Sequence, residues 1–158
     1  MISQPTQILS AVAAVQTGIS VTGSDGRSQA VTAAYPFLQW NVAGLNCPFF
    51  ANKIGGGPAR FTAQGRRQRE STVAMYLCLQ PVNQNASLAV SLEYALDWAD
   101  AVFTAFDAHL RLGGALGFLE LAQISHWDLV TAALGTTEYH ALKFDLSVTE
   151  TYTAAIGL

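Results

Sequence analysis

One run of this chain holds a helical period long enough to dictate what the remainder must do. Leu88, Leu92, Leu96, Ala99, Phe103, Phe106 and Leu110 recur at spacings of three and four, which sets them on one stripe of a helix. Asn85 or Ser87 can cap its start, and Gly113-Gly114 can stop it. Arg111 falls in the expected last turn, where the helix dipole favours a cation. Such a stripe needs a partner surface, and the strongest patterns elsewhere have the period of strands. Ser71 to Val82 carries Val73, Met75, Leu77 and Leu79 on one face, while Ala74, Tyr76 and Cys78 leave the other face apolar enough to be covered too. Glu138 to Glu150 alternates, with His140, Leu142, Phe144, Leu146 and Val148 directed inward and Tyr139, Ala141, Lys143, Asp145 and Ser147 outward. Gly135-Thr136 joins it to a preceding strand, 117–134, with a break near His126.

The first half of the chain is read as shorter pieces. A helix capped by Thr6 presents Ile8, Leu9, Val12 and Val15 and ends at Gly18. Ile19 to Val21 begins an extended segment, and Thr22 to Ser28 is a turn cluster. Val31 to Asn41 is extended but interrupted by Pro36, and Leu45 to Ile54 is a short strand leading into a loop. That loop spans about 55–70, long for a connection in a compact domain and therefore a candidate for function. With 158 residues, the chain suits one core. The expectation is a single α+β domain over 1–158, a mixed or antiparallel sheet packed by one long helix and a short N-terminal one. The most apolar stretch, Ile8 to Val21, is interrupted by Ser10, Gln16, Thr17 and Gly18, so no membrane span is expected. No Lys or Arg precedes it, so it does not read as a signal peptide.

Charge is scarce and sorted. Only 12% of residues are charged, about half the usual ~25%, and a surface so poorly charged is fit for burial between subunits. The net charge of −3 argues against general nucleic-acid binding. Lys53, Arg60, Arg66, Arg67 and Arg69 fall in a window that holds no acid, with Phe61 among them as an apolar anchor. Most acids follow position 90, and Glu93, Asp97, Asp100 and Asp107 share one face of the long helix. A solvated face, a surface for a basic partner and a metal site are three readings of that row, although no histidine stands at ligand spacing. The basic stretch GGGPARFTAQGRRQRE lacks the GK[ST] ending of a phosphate loop. It is either a solvated loop or an arm that docks on an acidic neighbour or faces nucleic acid in a pore.

No catalytic constellation emerges. His109, His126 and His140 stand apart, and His140 reads as a hydrogen-bonded core residue rather than a base. Cys47 and Cys78 form no CxxC pair and read as reduced core thiols. Trp40, Trp98 and Trp127 read as core or interface. The expectation is no enzyme, no cofactor and no metal. The alternative from another class is a small α+β metal-binding enzyme using the acidic helix face.

The order of these segments resembles the tail terminator (tail completion) proteins of long-tailed bacteriophages. The resemblance is carried by the helix TQILSAVAAV, the segment LNCPFFANKI and the loop-to-strand passage RRQRESTVAMYLCL. The helix SLEYALDWADAVFTAF and the closing TEYHALKFDLSVTE complete it. It implies a structural virion protein made in the host cytoplasm, forming a six-membered ring on the head-proximal end of the tail tube. Such a ring ends tube polymerisation and joins the tail to the head connector. The implied partners are further copies of the chain, the tail tube protein and the head-tail connector proteins, with packaged DNA in the lumen as a candidate for the arm and no membrane. Another neck or tube component of the same particle is the alternative within that resemblance.

Overall fold

The computed structural model describes residues 5–23, 26, 28–37, 45–61, 66–82, 92–114, 116 and 121–153. In order these form α1 (Pro5–Gln16), β1 (Ser20–Thr22), β2 (Ser28–Ala30), β3 (Ala33–Tyr35), β4 (Phe49–Gly55) and β5 (Ala59–Phe61). There follow β6 (Arg66–Pro81), α2 (Leu92–Asp107), a short 3-10 turn at Leu112–Gly114, β7 (Leu121–Leu134) and β8 (Thr137–Thr153). The main sheet has the strand order β3-β4-β6-β8-β7, with β5 beside β6 in line with β4, and β1-β2 form a separate hairpin. All pairings in the main sheet are antiparallel except β3 with β4. The fold is thus an α+β domain with a mixed sheet, one long helix and one short helix. No described helix is long and apolar enough to cross a membrane.

Both helices cover one face of the sheet. Val73, Met75 and Leu77 of β6 and Leu142, Phe144, Leu146 and Val148 of β8 are buried there against Ile8, Leu9 and Val12 of α1 and Trp98 and Val102 of α2. The helix stripe is rotated from the expected one. Leu96 and Leu110 are 42% and 41% exposed, and the buried positions are Ala95, Trp98, Ala99, Val102 and Phe106. Both sets have spacings of three and four, but only the second carries Trp98, whose large apolar surface gains most from burial. Leu88, the caps Asn85 and Ser87, and Trp40 lie outside the described residues. Arg111 lies beyond the last helical turn, and His109 instead holds Nδ1 2.7 Å from the Ala105 carbonyl at the helix end. Thr6 is not a cap, since α1 already begins at Pro5.

Among the described residues the opposite face is covered at one end. There Phe49, Ala51, Cys78, Ala132, Leu134, Tyr139 and Ala141 form a second, smaller core, with Phe49 and Tyr139 edge to face at 5.2 Å. This corrects the assignment of β8. Tyr139 and Ala141 are buried, and His140 is exposed. Its parity is as expected, but at the β7-β8 hairpin the covered face is the other one. Cys47 and Cys78 are free thiols of this region, as expected of core thiols. A buried polar pair ties α1 to β4: Gln16 Nε2 donates to Asn52 Oδ1 and Asn52 Nδ2 to Gln16 Oε1, both at 2.8 Å. Asn52 Nδ2 also donates to the Tyr35 carbonyl at 2.9 Å, so neither amide is left unsatisfied in the core.

Candidate assembly surfaces

The basic stretch is a sheet extension, not a loop. β6 begins at Arg66, five residues before the expected strand, and β5 folds back on it with Ala59 opposite Arg69 and Phe61 opposite Arg67. On its other side β8 continues to Thr153 opposite Arg66. The result is a three-stranded β-arm that prolongs the body of the sheet. Of the glycines before it, Gly57 has a steric role. A Cβ on Gly57 would lie 2.2 Å from the Glu70 carbonyl oxygen, so only glycine lets the chain pass β6 at this distance.

Register divides the arm's side chains between two faces. Arg67 and Arg69 share the helix-side face with Phe61 and Glu150. Arg67 stacks over the Phe61 ring with its guanidinium carbon 4.6 Å from the centroid. Arg69 donates to Glu150 Oε2 at 2.8 Å, and the Glu150 side chain is only 3% exposed. Arg60 lies on the other face, donating from Nε to Gln68 Oε1 at 3.1 Å and approaching Glu70 at 3.5 Å. Lys53, on β4, is exposed on that same face opposite Ala74. The arm therefore contains its own acids, Glu70 and Glu150, at positions the linear charge window did not include. Arg69 is engaged inside the subunit, whereas Phe61 is 67% exposed and Arg60 largely so.

The acids of α2 fall as the spacing predicted. Glu93, Asp100 and Asp107 are exposed and Asp97 is half-buried, on the side of the helix opposite Ala95, Trp98 and Val102. Among the described residues no group of three His, Cys, Asp or Glu side chains comes together to hold a metal ion. Lys53 of β4 and the β5 part of the arm lie at one edge of the sheet, and α2 packs against β7 at the other edge as well as against β1. Among the described residues no ion pair joins the two charged regions.

Burial raises the Cys47 thiol to about 11 and raises Cys78 as well, with the neighbouring Cys47 opposing a second negative charge. Neither is primed as a nucleophile. The residues missed by sequence reasoning are Glu150, Gln16 and Asn52, polar side chains whose burial depends on distant strands. No protein-family model matches this chain, and no curated protein does.

Proposed function

We propose that this chain is a structural subunit of a homo-oligomeric ring, acting as the tail terminator of a long-tailed bacteriophage. It would sit on the head-proximal end of the tail tube, stop tube growth and present a surface to the head-tail connector. The observation that carries the reading is the separation of charge. Lys53 and Arg60 stand at one edge of the sheet and the acidic helix packs against β7 at the other, and a closed ring requires two different complementary patches on each subunit. In this reading the basic side of one subunit, which exposes Lys53, Arg60 and Phe61, meets the acidic side of a neighbour, which carries Glu93, Asp97, Asp100 and Asp107 on α2 and Asp128 on β7. Electrostatic matching of that kind fixes register and partner choice more than raw affinity.

The test is electron microscopy of particles assembled without this chain. Over-long tubes lacking heads are the expected result, and tails of normal length joined to heads would remove the proposal. In a second arm, Lys53→Glu with Arg60→Glu should abolish a ring seen by light scattering. Arg69 is left unchanged there because its reversal would set a carboxylate against buried Glu150.

A further inference from the structure

The main sheet ends in two long backbone edges of different character. On one side lies β7, fourteen residues long and more than half exposed, with no strand beside its outer edge among the described residues. Ala122 N–H points away from β8 and donates to the Leu110 carbonyl at 2.8 Å. Leu129 N–H also points outward, donating to the Asp128 carboxylate at 2.8 Å on its own strand. In an antiparallel ladder the groups of alternate residues point the same way, so Trp127, Thr131 and Ala133 direct theirs outward too. On the other side, β3 covers only Phe49–Ala51 of β4, and the edge from Lys53 through Phe61 has no described strand beside it. This second edge comes in two pieces, 53–55 and Ala59–Phe61, and an unprotected edge templates pairing with another chain.

We infer that adjacent copies of this chain join edge to edge, β7 of one pairing with the Lys53–Phe61 edge of the next, so that the sheet runs on from subunit to subunit. Three observations select a second copy as the partner. The edges are charge-matched on the face away from the helices: one carries Lys53 and Arg60 there, whereas β7 carries Asp128 there and has no Lys or Arg. The directions agree, because β4 and β5 run opposite to β7 through the chain of antiparallel pairings. A copy added by simple rotation keeps the sense of the sheet, and its edge meets β7 antiparallel, the more stable ladder. Finally, the edges are different from each other, so the contact is head to tail and closes into a ring when the rotation permits. The inference rests on the ring reading above and specifies its contact.

Thr131→Pro tests it. Thr131 is exposed and its N–H faces outward, so proline there removes an edge donor without breaking the ladder to β8. Wild type and variant are compared by size-exclusion with light scattering and by far-ultraviolet circular dichroism. The expected result is a ring for wild type and a folded monomer for the variant at the same concentration. A folded variant that still forms the wild-type ring overturns the edge pairing and leaves the ring reading standing. A monomeric wild type overturns both. Should the variant fail to fold, amide exchange in the wild-type oligomer decides: slow exchange at Trp127, Thr131 and Ala133 upholds the pairing, and fast exchange overturns it.

Discussion

β6 and β8 form one continuous pair of strands, yet their two halves are held by different forces. From Ser71 onward the ladder is covered by α1 and α2, with Val73, Met75, Phe144 and Leu146 fully buried. From Arg66 to Glu70 the same strands carry an ion pair and a cation–π stack on the exposed Phe61 ring of β5. The body is stabilised by apolar burial that needs only volume and shape. The arm is stabilised by directional contacts among a few polar side chains, leaving its outer surface open for contact. Stability and availability are divided along one strand.

Substitutions at the two ends should therefore scale differently. The largest effect is expected in the body: Phe144→Ala should cost about 3–5 kcal/mol in chemical denaturation, through lost burial and a cavity. A loss at Phe144 smaller than that at an arm position would break the contrast. Next is Arg69→Met, expected to cost about 3 kcal/mol because it strands the buried Glu150 carboxylate. Glu150→Gln should cost less, since the Arg69 side chain it leaves is 32% exposed and can reach water. Equal costs for the two would mean that the pair is held by packing rather than by charge. Phe61→Ala should change stability by no more than about 1 kcal/mol, the size of an exposed cation–π contact, while weakening oligomer formation in light scattering. The smallest effect at neutral pH belongs to the thiols. Cys47 is raised from 9.0 to about 11 on folding, so its contribution is complete below pH 9 and is lost as pH rises toward 11. Thermal melts across that interval should show the decline, reduced in Cys47→Ala, and thiol reagents at pH 7.5 should label the native protein slowly.

Periodicity was enough to read the α+β class, the β7-β8 hairpin with its Gly135-Thr136 turn, and the acidic face of α2. All three depend on neighbours close in sequence. What escaped depends on which layer covers which end of the sheet. His140 and Leu142 share a face, but the helices shield only Leu142, whereas Tyr139 is buried by β4 and the segment before it. The stripe of α2 was ambiguous because leucines at one set of positions and Trp98 at another satisfy the same spacing. The arm was hidden by glycine and proline, which signal a break in local structure. Here Gly57 and Pro58 allow the chain to pass close to β6 and pair with it again, Glu70 N–H donating to the Pro58 carbonyl at 3.0 Å.

Gly57 has a further consequence. Because a Cβ there would meet the Glu70 backbone, Gly57 lets β5 lie against β6 from its base, so the arm is a paired strand within the single subunit. Ordering a slack segment during association costs free energy for each residue fixed, and a ring incurs that cost again for every subunit it adds. With the arm already shaped in the isolated subunit, that repeated cost is removed before the first contact forms. Replacing one hydrogen of Gly57 by a methyl group would thus push β5 off β6 and act on assembly by unshaping the arm before any contact forms.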